Sequence, residues 1–310
     1  PAGSGKSHCA KTFARKWYDA DRNRWAWWLS AETEVELRQS YLGLLQALGG
    51  ELPTGDVGTA ALAESLWARL CANTFEWLLV FDNAPEVSGG ADGVSVCDGP
   101  DALRHLFFPT PLAGWSRGRV LFTTRSQLFA GRTSLGLLTN VGVGPLSPVQ
   151  AVEMLLPVAS GVGFGVNTDA GTDAASVAAA KIVTRLGCLP LAIATVSGHL
   201  FDDPRLSLTR YLSDMPESAV TDSVACAMRG ALEYARSQGL EEILDIAAFV
   251  HPDAITLELL GGADAEAGVH RLCNMSLLRW VHGDMYSIHR SHQDVLRQSR
   301  LPTAAVRALG

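Results

Sequence analysis

Pro1-Ala2-Gly3-Ser4-Gly5-Lys6-Ser7 opens the chain with glycines, a lysine and a hydroxyl in an order that suits phosphate. The full pattern is Gly, four residues, then Gly-Lys-Ser/Thr. Gly5-Lys6-Ser7 supplies its end, while the first Gly would fall one position before Pro1. The reading therefore expects a chain cut inside its own motif, with the leading strand ahead of it. Glycines let backbone N–H groups curl around phosphate oxygens, and the helix that follows adds partial positive charge at its N-terminus. Gly3, Ser4, Gly5, Lys6, Ser7 and His8 are the candidate phosphate-binding residues. Lys6 would reach the β- and γ-phosphates, and the Ser7 hydroxyl would ligate Mg²⁺.

Two further positions carry chemistry. Asp82 follows the apolar run Trp77-Leu78-Leu79-Val80-Phe81. A carboxylate there sits at the C-terminal edge of a strand, where open α/β sheets bind ligands, and it can hold Mg²⁺ together with the P-loop hydroxyl. Ser7 and Asp82 are thus the candidate metal ligands. Arg125 ends a second such run, Arg119-Val120-Leu121-Phe122-Thr123-Thr124, and its guanidinium geometry suits a γ-phosphate. Thr123 and Thr124 read equally well as ordinary strand and turn residues.

The elements that must position these groups alternate. Ser7 to Tyr18 reads as the helix after the loop, Trp25 to Leu29 as a buried strand, and Glu34 to Leu48 and Thr59 to Ala72 as helices. With the strands at Trp77 and Arg119, this predicts crossover units and a parallel sheet covered on both faces. The pattern then turns helical at Pro148 to Leu156, Ala174 to Leu186 and Pro190 to Leu200. From Ala219 onward come helices, a short strand at Met285 to Ile288 and a helix from about Ser291, which suggests a winged-helix unit. Ser88 to Pro100 and Ala159 to Thr172 are Gly-rich and read as loops. Gly161-Val162-Gly163-Phe164-Gly165 follows no strand, so it is not taken as a dinucleotide fingerprint.

Composition narrows the function classes. The 310 residues are 47% hydrophobic and 18% charged, enough for two or three well-packed domains. A formal net charge of −7 disfavours a broad nucleic-acid surface. The six cysteines form no CxxC pair, which argues against a zinc site and fits a reducing, cytoplasmic setting. The longest apolar stretch, Leu186 to Leu200, contains Pro190, Ser197 and His199 and is shorter than the roughly 18 residues of a membrane span, so no membrane partner is expected.

Gly3-Ser4-Gly5-Lys6-Ser7, Leu78-Leu79-Val80-Phe81-Asp82-Asn83, Val120-Leu121-Phe122-Thr123-Thr124-Arg125 and Leu186-Gly187-Cys188-Leu189-Pro190-Leu191 occur in this order. Together they resemble the NB-ARC domain of the STAND class of signalling ATPases. Tyr286-Ser287-Ile288-His289-Arg290, followed by Gln293-Asp294-Val295-Leu296-Arg297, is similar to that family's C-terminal His motif in its bacterial and fungal style. The resemblance covers nearly the whole chain. It implies an α/β, three-layer P-loop NTPase domain with a parallel sheet at 1–147, a helical domain at 148–215 and a winged-helix domain at 216–310. It also implies ATP or ADP with Mg²⁺ as cofactors and a switch, closed with ADP and open with ATP, that hydrolyses slowly and assembles into oligomers. Effector and sensor domains are expected outside these residues. Pro190 would pack against the adenine, besides being a suitable first residue for a helix. His289 would contact the ADP β-phosphate.

Two departures from the family matter. Arg290 stands where an Asp is common. Asn83 stands where many members carry a second Asp proposed as catalytic base, and an amide cannot take a proton from water as a carboxylate does. The candidate catalytic set is Asp82, Asn83 and Arg125, with Glu86 the next carboxylate along the chain. The alternatives are a DNA-binding regulator, suggested by Arg279, Arg290, Arg297 and Arg300 with His282 and His292 nearby, and a housekeeping P-loop ATPase.

Overall fold

Trp77 to Phe81 is apolar at every position because both of its faces are covered. In the computed structural model, which describes residues 3–49, 57–84, 117–125, 139–159, 172–216 and 222–308, it lies in the middle of a parallel sheet. The chain divides into two compact units, Gly5–Val143 and Pro1–Ser4 with Gly144–Gly310.

The first unit is an α/β fold built on a parallel sheet. Its strands are β1 (Arg24–Ser30), β2 (Glu76–Ala84) and β3 (Gly118–Thr124), in the order β1-β2-β3 and all parallel. Alternation along β2 sorts the layers. Trp77, Leu79 and Phe81 pack with α2 (Glu34–Ala47) and α3 (Thr59–Ala72), where Tyr41, Leu62, Leu66 and Trp67 are fully buried. Leu78 and Val80 pack on the other face against Ala10 and Ala14 of α1 (Lys6–Asp19). Thr33 caps α2 by accepting from the Glu36 N–H at 3.2 Å. The register sets Ser30, the last residue of β1, beside Asp82, two residues before the end of β2.

The second unit holds α4 (Pro148–Ala159), α5 (Thr172–Arg185), α6 (Pro190–Asp202) and α7 (Leu208–Asp214), packed around Ile182, Leu186, Ile193 and Val196. There follow α8 (Ser223–Ser237), α9 (Glu241–Phe249), β4 (Ile255–Thr256), a 3₁₀ turn (Gly262–Ala265), α10 (Glu266–Asn274), β5 (Leu278–His282), β6 (Met285–Ile288) and α11 (Arg290–Ala308). The small strands form an antiparallel sheet in the order β4-β6-β5, with Gly283-Asp284 turning the hairpin. Helices with such a wing make the winged-helix part. α6 approaches the end of α10 so closely that a Cβ on Gly198 would lie 2.5 Å from the Asn274 carbonyl oxygen.

Both Gly-rich loop candidates fall almost wholly outside the described residues; Ala159 and Thr172 themselves end α4 and begin α5. No helix among the described residues is long and apolar enough to cross a membrane.

Candidate functional site

Gly5 starts the site. It precedes α1 at φ 91°, a left-handed conformation that glycine adopts without the clash a Cβ would bring. Its carbonyl accepts from the Cys9 N–H at 2.9 Å, closing the first turn. That turn contributes no acidic side chain of its own that would oppose an anion at the helix N-terminus.

The turn brings Ser7 to Asp82. The Ser7 hydroxyl donates to Asp82 Oδ1 at 2.7 Å, across 75 positions of sequence. Thr123 also donates its hydroxyl proton to Asp82 Oδ1. In return the Thr123 oxygen accepts from the Asn83 N–H at 2.9 Å. Asn83 itself is left-handed, with φ 60°. The β2–β3 ladder is irregular at this point: Phe81 faces Phe122 and Ala84 faces Thr124, so Asp82 and Asn83 together oppose the single residue Thr123. This is a β-bulge, a device that re-aims side chains beside functional sites. Two backbone or hydroxyl bonds pin its flanks, from the Ala31 N–H to the Asp82 carbonyl at 3.0 Å and from the Thr124 hydroxyl to the Ala84 carbonyl at 3.0 Å.

Lys6 is partly buried. Burial pushes its ammonium pKa below the usual lysine value, Arg125 lowers it further, and Asp82 works in the opposite direction. Lys6, Asp82 and Arg125 therefore feel one another's charge at a single sheet edge. Arg125 is exposed at the end of β3, and His8 is exposed on the first turn of α1. Glu86 lies outside the described residues.

A hydroxyl and a carboxylate meeting at 2.7 Å are hard oxygen donors, the kind Mg²⁺ takes alongside phosphate oxygens and water. The donor set therefore fits Mg²⁺. Among the described residues no group of three or more His, Cys, Asp or Glu converges as a metal site. An ion here would draw its remaining ligands from phosphate and water.

The other sequence candidates fall in the second unit. Gly3 belongs to it and accepts from the Leu191 N–H at 3.3 Å, beside Pro190. Pro190 begins α6, where its missing N–H costs nothing. Ser4 is buried. His289 is exposed, and its Nδ1 accepts from the Ser291 N–H at 3.1 Å at the start of α11. Arg290 pairs with Asp253 at 3.0 Å.

Sequence reasoning missed the roles of Thr123 and Arg271, and it set His292 beside the arginines of a DNA-binding face, whereas the structure buries it. Thr123 was a strand residue with no assigned role. Arg271 grips Asp202 through Nη2 at 2.7 Å and Nε at 3.2 Å, and also reaches the Tyr234 hydroxyl at 3.1 Å. His292 is buried against Thr195. A hydroxyl ending a buried strand beside an acidic strand end would have been the signal for Thr123; the other two pairings had none.

No family model matches the sequence, and no curated protein does. Among solved structures, the chain is similar to the Aeropyrum pernix ORC1 protein in complex with DNA, at 15% identity and a TM-score of 0.46, covering 98% of this chain and 86% of that one. It is similar to the Aeropyrum pernix ORC2 protein in ADPNP–ADP complexes at 12% identity and TM-score 0.42, covering 97% and 86%. Drosophila ORC bound to DNA follows at 13% identity and TM-score 0.38, covering 97% and 88%.

Proposed function

We propose that this chain is an adenine-nucleotide switch of the STAND type, which binds ADP or ATP with Mg²⁺, hydrolyses ATP slowly and controls assembly of a signalling oligomer in the cytoplasm. The observation that carries the reading is the Ser7–Asp82 hydrogen bond at the end of a parallel sheet, with Lys6 and Arg125 within charge range. Ser7 and Asp82 would hold the Mg²⁺, whose chemistry is to offset phosphate charge. Lys6 would hold the phosphates, and Arg125 would meet the terminal one. Asn83, an amide, makes a weak proton acceptor and favours slow turnover. A switch needs a bistable arrangement that each nucleotide biases differently.

The DNA-binding reading has less support. Arg290 is paired with Asp253, and Arg297 donates to the Ala248 carbonyl at 2.7 Å, so two of the arginines it rested on are engaged. A salt titration of duplex binding separates the readings, because phosphate-driven binding weakens steeply with salt.

The test is to denature purified protein and identify any nucleotide released, then to compare ADP affinity in wild type and Lys6→Ala. Released ADP or ATP, and loss of ADP binding in the variant, are expected. Equal ADP affinity in the two proteins would sink the reading.

A further inference from the structure

We infer that Thr123 is a positioning residue: its hydroxyl holds the bulge at Asp82–Asn83 and so fixes the Asp82 carboxylate for the metal. The inference rests on the nucleotide reading above and extends it to a residue outside the phosphate loop.

A carboxylate only accepts hydrogen bonds, and a backbone N–H only donates. A group placed between them has to do both. Thr123 does so, donating to Asp82 Oδ1 and accepting from the Asn83 N–H at 2.9 Å. Its side chain is buried, with 6% exposure, so water does not readily take over either role. The two partners are consecutive residues opposite Thr123 in the ladder, which makes the hydroxyl the fastener of the bulge. Without it, the Asn83 N–H would lose the Thr123 acceptor, and Asp82 Oδ1 would lose one of the two hydroxyl donors it has among the described residues, keeping that of Ser7. The carboxylate could then swing about its side-chain torsions, and Asn83 would have less to hold it left-handed. Outer-shell partners of metal-binding carboxylates act in this way, and removing one costs about 10–100-fold in metal affinity.

Thr123→Val keeps the shape and deletes the hydroxyl, whereas Thr123→Ser keeps the hydroxyl. The measurements are ADP affinity as a function of Mg²⁺ concentration, and hydrogen exchange of the Asn83 amide in nucleotide-free protein. Thr123→Val should lose about tenfold or more of the Mg²⁺-dependent gain in affinity, with Mg²⁺-free ADP affinity unchanged and faster Asn83 exchange. Thr123→Ser should match wild type in all three. A Thr123→Val protein with wild-type Mg²⁺ dependence and a protected Asn83 amide overturns the inference. If Thr123→Val does not fold, Thr123→Ser decides, because loss of Mg²⁺ dependence or of Asn83 protection with the hydroxyl present is equally fatal. Should wild type bind no nucleotide at all, the proposed function fails. Asn83 exchange then decides alone: faster exchange in Thr123→Val supports the fastening, and unchanged exchange overturns it.

Discussion

Thr195 Oγ1 and His292 Nε2 lie 3.1 Å apart inside the 144–310 unit, although 97 positions separate them. The Thr195 hydroxyl gives its proton to the Leu191 carbonyl at 3.0 Å, so the imidazole must donate through Nε2–H. The contact joins α6, in the helical part, to α11, in the winged-helix part. Arg271 and Asp202 make a second join between the same parts.

The buried imidazole makes stability depend on acid. Burial, aided by nearby His289, pushes the His292 pKa down to about 3, against 6.5 for a free histidine. Between those values the unfolded chain takes up a proton that the folded chain refuses, so stability is intact above pH 6.5 and falls as pH drops towards 3. The loss attributable to His292 is about 1.4 kcal/mol per pH unit in that window. Urea midpoints of wild type and His292→Gln, measured from pH 7 to pH 4, should converge as the pH falls. Parallel curves would mean that His292 does not titrate as described.

Arg271→Ala should lower stability by roughly 1–3 kcal/mol, because it leaves the buried Asp202 carboxylate without its charged partner. Arg271→Lys should recover only part of this, since an ammonium lacks the planar fork that spans Asp202 and Tyr234. The check is the urea midpoint at constant slope. No change in either variant would show the pair to be ornamental.

Asp82→Ala should weaken Mg²⁺-dependent ATP binding by more than the roughly 10–100-fold that loss of an outer-shell partner costs, while Asn83→Asp should raise ATP turnover if a proton acceptor is what limits it. Titrations with Mg²⁺ and a phosphate-release assay read the two effects separately. Intact Mg²⁺ dependence in Asp82→Ala would reduce that carboxylate to a turn residue. Unaltered turnover in Asn83→Asp would move the base elsewhere.

His289 has a local task that must be separated from any contact with nucleotide. Its Nδ1 caps the first turn of α11, and losing a cap costs about 1 kcal/mol. His289→Asn keeps a capping acceptor; His289→Ala does not. If the histidine latches ADP, both variants should release ADP roughly ten- to a hundredfold faster, the equivalent of losing about 1.5–3 kcal/mol of charge-assisted hydrogen bonding. If it only caps, His289→Ala alone should lose stability and ADP off-rates should stay at the wild-type value. Arg290→Ala, which frees Asp253, tests the neighbouring cation in the same assay.

Much of the first unit was legible because its signals are local. Trp77 to Phe81 is apolar at every position only because two helical layers cover it, and Gly5-Lys6-Ser7 specifies a tight turn into a helix. Asp82 could be singled out from its place at a strand end. Thr123 could be noticed as a hydroxyl at a strand end, but its bridging role could not be read, because that depends on a ladder irregularity at Asn83, forty positions away in sequence. β4 escaped notice for a simpler reason: two residues, Ile255 and Thr256, carry no readable period. The α6–α11 and α6–α10 pairings are encoded by packing between distant helices, on which sequence spacing is silent.

The left-handed backbone at Asn83 has an evolutionary consequence. Few side chains tolerate φ 60°, and Asn and Asp are among those that do so most readily. The backbone therefore accepts an amide or an acid there with little difference, while the chemistry differs sharply. Asparagine and aspartate codons differ at one base. On the proposed function, a lineage could move this site between a slow and a fast clock by a single nucleotide change.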